Sequence, residues 1–213
     1  FIRYSVLLVA VCVLVGQVSA RRNVIFDFMK TFNGLYTNNE QITHVAPGQP
    51  IPDAVKITFI PLKLKKLWEP VIYFEEALNG EVKQRELWVL RSDKIRIITF
   101  RIYNITFDDK SRGFDRDAAI AALGPKDLHG KKDCVGTFLG LPNGWFTGGK
   151  PDCTDDYANG NYPIRAGVDT CNSMIFNYPP IVSESTPFMP IVVKPEGDRY
   201  PVPGMPASYS NPC

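Results

Sequence analysis

The stretch Val71–Phe107, VIYFEEALNGEVKQRELWVLRSDKIRIITFRIYNITF, reads as three successive β-strands and decides the fold class. Its first run, Val71–Ala77, is aromatic and β-branched, a composition suited to a pleated, half-buried surface, and it carries the paired carboxylates Glu75 and Glu76. Asn79-Gly80 follows, two residues that tolerate the positive φ of a tight hairpin turn, and a second run resumes over Arg85–Arg91. After Ser92-Asp93 a third run, Ile95–Phe107, sets Ile98, Phe100 and Ile102 on one face and Thr99, Arg101 and Tyr103 on the other. A sheet with one apolar face and one face bearing Glu, Arg and Tyr is either wet on that side or closed around a polar-lined cavity.

Outward from this core the chain stays mainly β. Val55–Leu62 alternates as a strand, and short β runs recur at Cys134–Leu139, Gly144–Phe146 and Ser173–Tyr178. Ile25, Phe28, Met29, Phe32 and Leu35 fall at helical spacing and predict an N-terminal helix with one apolar face on the sheet. One further short helix is signalled by Asp115 or Asp117 as cap, the Ala118–Leu123 stretch and a Gly124-Pro125 stop. From Pro179 onward nine of the 18 prolines fall within 35 residues, the composition of an extended wrap or linker. Lys63, Lys65 and Lys66 beside Trp68 read either as an anionic-ligand or membrane-surface patch or, more plainly, as a solvated loop.

Residues 1–20 have the layout of a secretory signal peptide: Arg3 ahead of an apolar run, Val6–Val15, then small residues at Val18-Ser19-Ala20. That run is about half the ~20 residues needed to span a bilayer, so no membrane span is expected. The division that follows is a signal peptide over 1–20, a β domain over 21–178 and a Pro-rich tail over 179–213. Without residues 1–20 the balance is 23 basic against 22 acidic groups, which excludes nucleic acid as an expected partner and a highly acidic mineral-binding chain alike. An exported chain keeping Cys134, Cys153, Cys171 and Cys213 implies two disulfides. A two-residue turn at Asn143-Gly144 sets opposite each other positions totalling 287, which pairs Cys134 with Cys153 and leaves Cys171 with Cys213. Asn104-Ile105-Thr106 is a glycosylation sequon. No metal site is expected: there is no Cys-x-x-Cys pair, only His44 and His129 could assist, and Asp152, Asp155 and Asp156 read as a solvated acidic turn. Phosphate loops, HExxH helices and GxSxG elbows are absent.

Leu35-Tyr36 with Asn39 and Gln41, then Tyr73-Phe74-Glu75-Glu76-Ala77, Gln84-Arg85 and the Ile95–Tyr103 strand resemble, in order, the motifs of the CpcT/CpeT family of phycobilin lyases. Cys134, Phe146-Thr147-Gly148 and Cys153 are similar to later family motifs, so the resemblance covers about residues 34–155. The chain departs from the family at Glu76, at Val82-Lys83 and at Asp133, and beyond Cys171 the likeness ends. The resemblance implies an antiparallel, lipocalin-like calyx barrel that holds an open-chain tetrapyrrole, a bilin, and delivers it to a cysteine of an acceptor protein. Arg85 and Arg101 would then hold the propionates, and Tyr73, Trp88 and Tyr103 would line the wall. Glu76 would accept from the pyrroles or protonate the pigment as the catalytic group. The structural alternative for Glu76 and Arg85 is a single buried ion pair serving the barrel.

Three functions are consistent with these readings. The first is a secreted calyx protein binding a bilin or another flat hydrophobic molecule without transferring it. The second is a structural component of an extracellular or biomineral organic matrix. The third is a bilin-attaching lyase, which secretion disfavours.

Overall fold

The computed structural model describes residues 23–65, 67–93, 96–105, 107, 114–128, 135–150, 165–176 and 190–209. Cys134, Cys153, Cys213, His129 and the acidic turn at Asp152–Asp156 lie outside them. Ten strands close into an antiparallel barrel: β1 (Gly34–Thr37), β2 (Val55–Leu62), β3 (Val71–Leu78), β4 (Glu81–Ser92), β5 (Ile97–Asn104), β6 (Val135–Gly140), β7 (Phe146–Lys150), β8 (Arg165–Asp169), β9 (Met174–Phe176) and β10 (Ile191–Glu196). Each strand pairs with its sequence neighbours, and β1 closes the ring between β2 and β10. Full closure removes the unpaired edges that an open sheet of this size would present.

The β3–β4 hairpin turns at Asn79 and Gly80, both with positive φ (50° and 85°), the geometry their sequence encodes. The next step is not encoded so plainly. Leu78 faces Glu81 and Ala77 faces Val82, but Glu76 faces Gln84, so Lys83 is an extra residue that bulges out of β4. The bulge reverses which residues of β4 point inward, and Glu75, not Glu76, lies opposite Arg85.

Inside the barrel the apolar residues form one aromatic-rich cluster. Trp88 stacks on Phe74 at 5.0 Å and lies tilted against Phe100 at 4.5 Å between ring centroids. One end is plugged by helix α1 (Val24–Thr31), capped by the Asn23 side chain accepting from the Ile25 N–H. Phe28 of this helix meets Phe146 edge-on at 5.1 Å, and Phe32 just beyond it meets Phe59 at 5.4 Å and Phe138 at 5.0 Å. Burying each such ring stabilises the fold by about 1.5–3 kcal/mol. Leu35, the last member of the helical stripe, instead lies in β1, because Gly34 (φ 95°) turns the chain out of the helix. Helix α2 (Asn39–Thr43) follows at the other end of the barrel.

The Pro-rich region differs from its composition. Residues read as a wrap or linker supply β10, the strand that completes the ring, and residues beyond it lock the plugged end. Arg199 donates to the carbonyls of Asn33 (2.6 Å) and Cys171 (3.0 Å) and to the Tyr36 hydroxyl, while Val202 enters the core. Proline is tolerated in β10 because Pro195 sits near the strand's end.

The β6–β7 hairpin also departs from its expected register. Its opposite positions total 286, as in Thr137 opposite Gly149, since the connection runs from Leu141 to Trp145 and is longer than two residues. The total of 287 that singled out Cys134 and Cys153 therefore does not hold. Cys171 is disulfide-bonded. No helix among the described residues is long and apolar enough to cross a membrane.

Close packing at Gly136 gives a test of this interior. A Cβ there would lie 1.9 Å from Cζ of Phe100. Gly136→Ala should cost about 1–3 kcal/mol, read as a lower denaturant midpoint at unchanged slope.

Candidate functional site

The six residues singled out from the sequence are divided between the two faces of the barrel wall. Tyr73 and Arg85 lie outside the barrel wall, in a second apolar cluster formed with helix α3 (Arg116–Ala121) and its flanks. The hydroxyl of Tyr73 and Nε of Arg85 both donate to Oε2 of Glu75, each at 2.8 Å, and Arg116 approaches Oε1 at 3.7 Å. The Arg85 guanidinium lies 5.5 Å from the centre of the Phe107 ring. Helix α3 is set over this knot by its cap, with Asp115 accepting from the N–H groups of Asp117 and Ala118, and by buried Ile120 and Leu123. The expected Glu76–Arg85 pair is thus replaced by Glu75–Arg85, a consequence of the bulge at Lys83. Burial, and next the charge of Glu75, raise the Tyr73 hydroxyl well above the usual phenol range.

Glu76 and Trp88 face the interior. Glu76 is buried and accepts from Nε2 of Gln84 at 2.6 Å, while Oε1 of Gln84 has no hydrogen-bond donor among the described residues. Beside them lies a constellation that strand-by-strand reading missed. Glu86, fully buried, accepts from Nε1 of Trp88 and from Nζ of Lys150, both at 2.7 Å. Parity pointed to it in part, because Gln84, Glu86 and Trp88 share one face once the bulge is known. Lys150 carried no signal, since its strand FTGGK gives no alternating pattern. Asp169 is buried on the neighbouring strand. A cavity of about 20 Å³ lies beside Lys150 and Asp169, where Gly148, Gly149 and Gly167 leave room between the aromatic rings. That is space for one water, far below the ~300–1,000 Å³ of a pocket that buries a small ligand.

Arg101 and Tyr103 line an outer groove of about 280 Å³ with Leu67, Val89, Leu128 and Val135, and of these Tyr103, Leu67, Val89 and Leu128 belong to the same outer cluster as Tyr73. Arg101 is exposed, and among the described residues neither side chain forms a hydrogen bond or ion pair. Asn104 ends β5, is half-buried and shares the inward face of Ile98, Phe100 and Ile102, so it does not stand free on the outside. Among the described residues no group of three or more His, Cys, Asp or Glu side chains is placed to hold a metal ion.

Fold and site together define the class: a closed ten-stranded antiparallel β-barrel whose interior, among the described residues, is packed with its own side chains. Compared with protein-family models, curated proteins and solved structures, the chain matches none.

Two measurements probe the buried polar groups. Lys150→Met removes the ammonium facing Glu86 and should cost about 3–5 kcal/mol in chemical denaturation, with much of the loss recovered when Glu86→Leu is added. Burial pushes the Tyr36 hydroxyl up to about 12, against the opposing pull of Arg199. The folded state favours its neutral form, so that contribution is intact below pH ~10, the unfolded value, and is lost as the pH rises through 12. Unfolding midpoints should therefore hold up to pH ~10 and fall above it, with the last tyrosines becoming phenolate only as the barrel opens.

Proposed function

We propose that the protein is a non-catalytic structural component of an extracellular organic matrix, in which a calyx fold like that of the CpcT/CpeT family has been filled and serves as a braced building block. The observation that supports this is the packed interior among the described residues, where the cavity of about 20 Å³ beside Lys150 is too small for an open-chain tetrapyrrole. The charges assigned to bilin binding by resemblance also have protein partners: Arg85 is held by Glu75, and Glu76 by Gln84. A propionate would have to displace the first pair, and an acid–base role for Glu76 would need a substrate beside it in a filled core. Export with cleavage after residue 20 and two disulfides among Cys134, Cys153, Cys171 and Cys213 complete the proposal, whereas a glycan on Asn104 would need that half-buried end of β5 to open. Bridges suit it, because a matrix protein must hold its shape outside the cell.

A second reading is favoured by one observation, Arg101 without a hydrogen bond or ion pair among the described residues, in a groove it shares with Leu67, Val89, Leu128 and Val135. It keeps a flat hydrophobic ligand with a carboxylate, bound in the outer groove instead of the barrel.

Titration with biliverdin separates the two. The pigment spectrum should stay unchanged on adding the protein, while Arg85→Ala lowers the melting temperature by roughly 3–12 °C, the effect of losing a charge-assisted hydrogen bond in a domain of this size. A red-shifted, sharpened pigment band would displace the structural reading, and its loss in Arg101→Ala would put the ligand in the groove.

A further inference from the structure

The loop joining β2 to β3, Lys63-Leu64-Lys65-Lys66-Leu67-Trp68-Glu69-Pro70, holds the most exposed large hydrophobic residue among those described: Trp68 is 98% exposed. A large aromatic ring left wholly in water costs burial energy that most chains recover by packing it. Slackness of the loop does not account for the exposure. Leu64 is 5% exposed and anchored in the outer apolar cluster, with Leu67 packed against the same cluster. The Leu67 N–H donates to the Leu64 carbonyl at 3.3 Å, the Leu90 N–H donates to the Pro70 carbonyl at 2.9 Å, and Arg91 holds Glu69 at 3.0 Å. With both leucines turned in, Lys65 between them and Trp68 after them are exposed.

Charge on the loop is one-sided. Lys63 and Lys65 are exposed and among the described residues form no hydrogen bond or ion pair, and Lys66 adds a third positive charge in the sequence. The loop's acid, Glu69, is matched by Arg91. The loop thus presents an exposed indole together with the exposed ammonium groups of Lys63 and Lys65.

We propose that this loop docks the protein on an anionic lipid surface, with Trp68 entering the headgroup layer and the lysines meeting the lipid phosphates and carboxylates. The indole has an apolar body and one N–H, and it partitions into a bilayer interface without needing a shaped partner. A sugar-binding platform, by contrast, surrounds its ring with amides and carboxylates that select hydroxyls, and the residues flanking Trp68 are Lys, Leu and Pro with one engaged Glu. Each lysine near an anionic leaflet multiplies partitioning about fivefold, so docking is reversible and set by lipid charge. The inference does not depend on the matrix reading, since the loop lies outside the barrel core.

Full-length protein mixed with vesicles carrying bromine-labelled acyl chains tests it. Tryptophan emission should be quenched on vesicles of phosphatidylcholine with phosphatidylserine, and the quenched component should vanish in Trp68→Ala. Because this readout follows one indole, binding through another part of the chain does not imitate it. Lys63→Ser and Lys65→Ser should each lower partitioning about fivefold, with added salt acting in the same direction. Melting temperatures should be unaltered by all three substitutions, as these side chains are exposed. The proposal is overturned by unchanged quenching in Trp68→Ala, by equal partitioning onto vesicles lacking phosphatidylserine, or by loop-dependent binding to heparin without binding to vesicles.

Discussion

A single extra residue in β4 governs the inside of this barrel. If pairing ran unbroken from Leu78 opposite Glu81, Arg85 would fall opposite Phe74 on the inner face and Trp88 would point outward. The bulge at Lys83 shifts the register by one, and in a strand one residue is a change of face. Glu86, Trp88 and Leu90 therefore enter the core, and Arg85, Leu87 and Val89 go to the outer cluster. The indole of Trp88 then sits among Phe32, Phe59, Phe74 and Phe100, which ties helix α1 to three strands through one side chain.

Closure rests on the same economy of side chains. One inner row runs Ile98, Phe138, Gly148, Gly167, Phe176 and Ile191 across six strands, two rings separated by two glycines. The rings occupy the space that the glycines leave, so the wall of β7 and β8 stays thin while the core stays filled. A ten-stranded ring is wide enough to hold a ligand in principle. Here α1 and the segment from Arg199 to Val202 close one end, and aromatic rings fill the middle.

The buried charges divide by environment. Glu86 and Lys150 face each other in a nearly dry interior, where the attraction is strong but the desolvation of both ions offsets much of it. Such a pair adds little net stability over an apolar pair of equal volume. Its physical effect is on alternatives, because any register that separated the two would leave a charge in the core. The outer knot of Tyr73, Glu75 and Arg85 lies closer to solvent and under a six-residue helix, and it fixes α3 to the wall.

The sequence by itself determined the mainly β class, the alternation of Ile98, Phe100 and Ile102 against Thr99, Arg101 and Tyr103, the turn at Asn79-Gly80 and the capping of α3 by one of two aspartates. These are local properties, written in period-two patterning, in the φ preferences of Asn and Gly and in a side chain that bonds its own neighbouring amides. Tertiary structure alone decided which of Glu75 and Glu76 meets Arg85, that Lys150 reaches Glu86 across 64 positions, and that Pro-rich residues near the end of the chain provide the closing strand. A bulge has no composition signature at Val82-Lys83-Gln84. The strand Ile191–Glu196 pairs with β1, more than 150 residues earlier, so its partner could not be read from its neighbours. Whether the ring encloses a ligand or its own side chains is a question of volume, and volume is set by how ten strands and one helix pack together.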